Sequence, residues 1–378
     1  MTSARTIGIR ALAALWALVI ISPAVVFLPV LPEWAALVSG LVTTWSPLMV
    51  VPALIGVVLA VVARRLEMRR MFAAVAVGVV LSLLAAVVPL VAGMRTAAEN
   101  DVALSVPGYF SSPPTPTGPH ATEVYATVDG EQLKLDVWRP AKPAPGNPAI
   151  VWAHGGGFVL GHRGQAPDRN QWLTDHGYTV FDVDYRLSPP PRWDQQARDV
   201  KCAVGWVAQR AGQYGIGAVS VGGDSAGANL ALLAAYTTGT GAYPPSCDVP
   251  EQRPKSVVAY YPPTDMPELH RTSGLPGVVD QVEAKYYGGT PETMPAEFRA
   301  SSPVTYVRPG LPPTLLVHGA NDHLVPAGQS AILRDRLAAA GVLNREVVVP
   351  WADHAFDLKW GSWPTQIAYG VLAQFLLG

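Results

Sequence analysis

Apolar residues follow two regimes along this chain. Up to about residue 95 they run almost unbroken, in stretches at 11–32, 35–63 and 71–93. Each reaches the length of about 20 residues that crosses a bilayer core. None carries the polar face that a helix buried in a soluble domain shows over that length. From about Glu123 the pattern breaks into short runs rich in β-branched and aromatic residues: 123–128, 132–138, 148–155, 178–185, 217–223, 256–262, 313–319 and 345–350. Several of these are continuously apolar, as strands buried on both faces require. Helical stretches fall between them at about 194–211, 226–237, 326–340 and 365–377. This alternation predicts an α/β fold with a mostly parallel sheet covered by helices on both faces. Asp129-Gly130 between the first two strands is a hairpin signal, so the sheet should begin antiparallel.

Three units follow from the pattern. Residues 1–95 form an all-α membrane region of about three helices. Residues 96–121, with "SVPGYFSSPPTPTGPH" inside them, read as a Pro/Ser-rich linker. Such a linker is extended and semi-stiff and holds the next domain off the membrane; the other reading is a strap packed across that domain. Residues 122–378 form the α/β domain, interrupted at about 262–312 by a Pro-, Gly- and Tyr-rich insertion that resembles a cap over the sheet edge.

Charge sets the orientation. Residues 1–95 hold two acids, Glu33 and Glu67, while Arg5 and Arg10 flank the first span and "RRLEMRR" (64–70) separates the second from the third. The positive-inside rule puts these arginines in the cytoplasm and everything beyond about residue 95 outside it. The first run also fits a signal peptide, although no clean small-x-small site follows it. Pro47 and Pro52 fall in the second span, and a re-entrant segment there would reverse the orientation. The expected location is therefore the membrane, multi-pass, with the α/β domain extracytoplasmic. A net charge of −1 with 15% charged residues leaves no nucleic-acid footprint. The spans hold no internal charge, so no ion path for a transporter is indicated.

The chemistry is concentrated at strand ends. Gly223-Asp224-Ser225-Ala226-Gly227 matches G-x-S-x-G between a strand and a helix, the context that gives this short motif its meaning. Its tight turn projects one hydroxyl above the sheet and sets backbone N–H groups beside it. "AHGGGFVLGH" (153–162) follows another strand, and its glycines let N–H groups turn toward an oxyanion. Gly156, Gly157 and Ala226 are the expected donors. His154 is expected to pin that loop, and Asp224 to support it. A serine needs a base, and in this arrangement the order along the chain is Ser, acid, His. His354, the last of eight histidines, follows the final strand, and Asp322 lies in the loop after the penultimate one. Asp353 is the rival acid. Tyr185 and Arg186 are expected to brace the site. Cys202 and Cys247 flank the nucleophile segment and are expected to pair if the domain is exported. No metal-ligand spacing appears, and no cofactor is implied.

"HGGGF", "DYRLSP" (184–189), "GDSAGAN" and "HGANDHLVP" resemble α/β-hydrolase carboxylesterases, similar to bacterial hormone-sensitive-lipase-like and feruloyl-esterase-like esterases. The resemblance covers about 122–378. It implies an eight-strand sheet, a Ser225–Asp322–His354 triad and an oxyanion hole from Gly156, Gly157 and Ala226. Two departures stand out. Ala228 replaces a second glycine after "GDSAG", and "HGANDHLVP" differs from the Asp-x-Leu-x-Asp stretch of the first group, so acyl and alcohol preferences do not carry over. The implied function is a membrane-anchored serine hydrolase acting on small-molecule or lipid esters beside a bilayer. An acyltransferase or a serine peptidase would use the same triad, and a non-catalytic binding module would share only the fold.

Overall fold

A computed structural model describes Val26, residues 33–144 and residues 146–377. Apart from Val26, the span expected at 11–32 lies outside the described residues. The stretch expected as one span at 35–63 is two helices, α1 (Glu33–Thr44) and α2 (Val50–Arg65), joined by a 3-10 turn at Ser46–Met49. The break follows from Pro47, because proline disfavours the helical conformation of the residue before it. Pro52 sits in the first turn of α2, where its missing N–H costs nothing. α3 (Arg69–Glu99) follows after three residues and packs along α2. Gly56 permits that contact, since a Cβ there would lie 2.6 Å from Val79 Cγ2. Ser46–Arg65 and Arg69–Glu99 are each long and apolar enough to cross a membrane, with mean hydropathy 2.4 and 2.7.

α3 does not stop at the bilayer length. Its last turns dock on the α/β domain, where Ala97 joins the core and Gly93 lies against Trp363. The segment after it is a strap rather than a free spacer, because its polar groups find partners on the α/β domain and on α1. Ser105 N donates to Gln366 Oε1 at 2.7 Å, Thr117 N donates to Gln171 Oε1 at 2.9 Å, and the buried Tyr109 donates to Thr44 O at 2.8 Å.

The α/β domain is built on eight strands: β1 (Ala121–Val128), β2 (Glu131–Trp138), β3 (Asn147–Ala153), β4 (Thr179–Val183), β5 (Ile216–Asp224), β6 (Val257–Tyr260), β7 (Thr314–Gly319) and β8 (Asn344–Val349). They lie in the order β1-β2-β4-β3-β5-β6-β7-β8. β1 and β2 are antiparallel, as is β2 to β4; the pairs from β4 through β3 to β8 are parallel. Asp129 and Gly130 both take positive φ, 52° and 82°, which the β1–β2 turn requires. One face of the sheet is covered by α5 (Gln196–Gln209), α6 (Ala226–Tyr236) and α10 (Gly328–Ala339), the other by α4 (Pro167–Asp175) and α11 (Trp363–Leu377). Between β6 and β7 lie three short helices, α7 (Met266–Thr272), α8 (Pro276–Tyr286) and α9 (Pro295–Ala300).

Cys202 on α5 and Cys247 are joined by a disulfide that closes a loop of 45 residues. Such a cross-link stabilises chiefly by restricting the unfolded chain, by about 4 kcal/mol for loops of this order. Cys202→Ala should therefore lower the midpoint of thermal unfolding and leave the active-site geometry intact. An unchanged midpoint under non-reducing conditions would show that the bridge contributes nothing.

Candidate active site

Ser225 stands where β5 gives way to α6, at φ 53° and ψ −121°. A non-glycine residue rarely holds positive φ, and the strain is contained by the packing around it. Gly227 makes the turn possible: a Cβ there would lie 2.1 Å from Ala153 O. The turn is also tied from below, with Ser225 N donating to Tyr260 O at 2.9 Å.

His354 reaches the serine from the loop after β8. Its Nε2 lies 3.0 Å from Ser225 Oγ, and its Nδ1 lies 2.7 Å from Asp322 Oδ2. Asp322, after β7, is itself fixed: Oδ1 accepts from Leu324 N at 3.0 Å and from Val325 N at 2.7 Å, and Oδ2 lies 3.3 Å from His318 Nε2. Burial alone would raise the Asp322 pKa, but His354 and His318 outweigh it and hold the carboxyl well below its usual range. Asp353 sits beside His354 in sequence, but its carboxylate turns to His323, 2.7 Å from Nδ1, and accepts from the backbone N of His354 at 2.7 Å. It does not meet the His354 ring nitrogens.

Burial pulls His354 toward neutrality. Asp322, then Asp353 and Asp224, overcome that and raise its pKa above the ordinary 6.5. A general base must be neutral, so kcat/KM should climb with pH through an apparent pKa above 6.5. Asp353→Asn removes one of the anions that favour the imidazolium, and should move this limb to lower pH. A pH–rate profile of both proteins checks the sign; a limb that stays in place would exclude Asp353 as a contributor.

The glycine loop lies on the other side of Ser225. Gly156 (φ 125°) and Gly157 (φ 59°) adopt backbone conformations that other residues rarely take. Among the described residues none accepts a hydrogen bond from the N–H of Gly156, Gly157 or Ala226. The loop is anchored by Asp224, whose Oδ2 accepts from Gly155 N at 2.8 Å and whose Oδ1 accepts from Trp152 Nε1 at 2.8 Å and Arg169 Nη1 at 2.9 Å. Arg169 also lies over the Trp152 ring at 4.1 Å. His154 is buried and stacks on Tyr185 at 4.3 Å; burial lowers its pKa, and its carbonyl accepts from the Tyr185 hydroxyl at 2.8 Å. Arg186 holds Asp199 through two bonds of 2.8 and 2.9 Å and reaches Asp129 with a third. It thereby ties the β1–β2 turn to α5.

Two contributors escaped the sequence reading. Arg169 and Trp152 support Asp224 from elements far apart in the chain, and no local motif marks them. Tyr261 stands edge-on to the His354 ring at 4.7 Å, held by a 2.6 Å bond from its hydroxyl to Asp357 Oδ1. Tyr286 and Tyr287 belong to the core: Tyr286 stacks on Phe158 at 4.0 Å and Tyr287 on Phe298 at 3.8 Å. His270, Asp280 and Glu283 bring one potential ligand atom each within 4.8 Å of the others. There His270 Nδ1 and Glu283 Oε2 are 2.7 Å apart, tying α7 to α8, and burial pushes the Glu283 carboxyl up to about 7.

A small cavity of about 60 Å³ opens beside Ser225 and Ala226, walled by Phe158, Met266, Leu269 and Val279. A hydroxyl in contact with a base, the base oriented by a buried carboxylate, and free N–H donors opposite form the geometry of acyl transfer. Residues 135–337 match the model of the BD-FAE family.

The chain belongs to the BD-FAE family.

Among curated proteins it is similar to Esterase LipQ of Mycobacterium tuberculosis, 31% identical over 69% of this chain and 64% of that one. Esterase LipC of the same organism is 33% identical over 64% of this chain and 61% of that one. The chain thus spans about three fifths of the length of these relatives. Among solved structures, a propionate-bound esterase from Thermogutta terrifontis, Est2, superposes with a TM-score of 0.56 at 25% identity, covering 70% of this chain and 96% of that one. The fold of this family member is the α/β-hydrolase fold, preceded by the apolar helices α2 and α3.

Proposed function

We propose that this protein is a membrane-anchored serine esterase that cleaves short-chain carboxylic esters outside the cytoplasm. The observation that carries this reading is the unbroken chain Ser225–His354–Asp322 beside N–H groups that have no acceptor among the described residues. Ser225 Oγ attacks the ester carbonyl as His354 Nε2 takes its proton. The negative oxygen settles against the N–H groups of Gly156, Gly157 and Ala226, each worth about 3 kcal/mol to the transition state. His354 then protonates the departing alkoxide, and water, deprotonated by the same imidazole, releases the acid from the acyl-enzyme. The cavity beside Ser225, about 60 Å³ and walled by apolar side chains, supports a short acyl group. The Thermogutta terrifontis esterase that shares the fold holds propionate.

The placement rests on charge and chain direction. Arg64, Arg65, Arg69 and Arg70 cluster at the turn between α2 and α3, and the α/β domain lies at the opposite end of that hairpin. Positive charge stays inside, so the domain faces out, and the disulfide is consistent with an oxidising compartment.

Hydrolysis of p-nitrophenyl esters from acetate to octanoate by the full chain in lipid nanodiscs tests the function. Turnover should be best at acetate or propionate and should fall as the acyl chain outgrows its cavity. A profile peaking at octanoate would contradict the short-acyl assignment. Protease treatment of intact spheroplasts tests the placement; a domain that stays protected until the membrane is opened would reverse the orientation.

A further inference from the structure

We infer that the alcohol half of the substrate is a membrane-resident amphiphile, which reaches His354 along an apolar groove roofed by the N-terminal helix. This inference rests on the esterase reading above and names the substrate class of the same site.

The two sides of Ser225 differ greatly in size. The cavity on the oxyanion side holds about 60 Å³, whereas a groove of about 1090 Å³ ends at His354. Leu324 lines both, so they are neighbours across one wall. The chemistry assigns each side. The acyl group stays on Ser225, next to the N–H donors. The departing alkoxide must take its proton from His354 Nε2, so the alcohol occupies the groove on the histidine side. At this volume the groove stands at the upper end of the range of about 300–1,000 Å³ for ligand sites.

The groove walls point to an apolar guest delivered from the bilayer. Leu41 of α1 and Trp45 and Leu48 of the turn after it form one side; Phe110, Leu358 and Trp360 are among the others. Leu41, Leu48, Phe110 and Leu358 are exposed large apolar side chains. Immediately beyond Leu48 the exposed residues Val50, Val51 and Leu54 begin the apolar surface of α2. The groove mouth is therefore continuous in sequence with the helix that enters the membrane. The wall is fastened in place. Tyr109 donates to Thr44 O, and Lys359 Nζ lies 4.9 Å from the Trp45 ring and 4.0 Å from the Tyr109 ring while donating to Tyr109 O at 3.0 Å. The break at Pro47, which ends α1 before the membrane segment, is what lays α1 along the domain instead of continuing it into the bilayer.

The resulting substrate class is a short-chain acyl ester of a long, apolar alcohol. Two ester series measured with the full chain in nanodiscs test it. One lengthens the alcohol at fixed acetate, from ethyl to hexyl; the other lengthens the acid at fixed ethanol. kcat/KM should rise about fourfold per methylene added to the alcohol, the gain for moving each from water into an apolar site. It should fall when the acid is lengthened past propionate. Leu41→Glu and Leu358→Glu, at exposed positions that tolerate charge in the fold, should each lower the ratio of hexyl acetate to ethyl acetate turnover by about tenfold or more. A ratio unchanged in both variants, or an alcohol series that is flat in the wild type, overturns the inference. Absence of any turnover of p-nitrophenyl acetate would overturn the esterase reading and this inference with it.

Discussion

Ser225→Ala should abolish esterase turnover, with a loss of about 10⁶ in kcat. The expectation is this large because, among the described residues, the His354 ring nitrogens meet one nucleophile only: Nε2 meets Ser225 Oγ, and Nδ1 is occupied by Asp322. The alanine has no steric cost, since the Ser225 side chain makes no contact that holds the turn together. The backbone bond from residue 225 to Tyr260 O and the glycine at 227 remain. The variant should therefore unfold at the wild-type temperature. Residual activity of about 10³-fold over water would reflect the oxyanion donors and substrate positioning alone. A loss smaller than about 100-fold would mean that another group attacks the ester.

Asp322→Asn should lower kcat by about 10⁴. Asp322 Oδ2 receives the Nδ1 proton of His354, which fixes the tautomer that leaves Nε2 free to accept from serine. An amide nitrogen at that place donates instead, and turns the imidazole to the wrong tautomer. The carboxylate also stabilises the imidazolium formed during attack, an effect the neutral amide lacks. Oδ1 keeps its bonds from Leu324 N and Val325 N in the asparagine variant, so the loop should stay in position. Kinetics beside the unchanged thermal midpoint separate a tautomer effect from a collapsed loop. Asp353→Asn, by contrast, should cost little in kcat, because Asp353 serves His323 and a backbone N–H rather than the ring of His354.

The parts of this molecule that were legible in sequence are those with a local signature. A β-branched run followed by glycine and an Ala/Leu-rich helix marks a strand, a tight turn and a buried helix in consecutive residues, so Ser225 could be read directly. The order of Asp322 and His354 after it is a matter of counting strands, which the apolar runs allowed. Asp129-Gly130 announced its own turn. The support behind Asp224 was illegible because Arg169 and Trp152 reach it from α4 and β3, at sequence distances of 55 and 72 residues. The end of the second apolar stretch misled for a different reason. Hydropathy is continuous across 35–63, and only the backbone restriction imposed by Pro47 separates α1 from α2. The strap after residue 100 has a linker's composition, yet Ser105, Tyr109 and Thr117 find partners on the rest of the chain that no composition reveals.

The central claim is that Ser225 is the nucleophile of an assembled triad. Its most direct test is labelling of the folded, membrane-embedded full chain with a fluorophosphonate, followed by intact mass and peptide mapping. One adduct per chain is expected, located on Ser225, lost in Ser225→Ala and slowed by about 10³-fold or more in Asp322→Asn. An adduct on any other residue, or none at all from a chain whose Cys202–Cys247 bridge is intact, would contradict it.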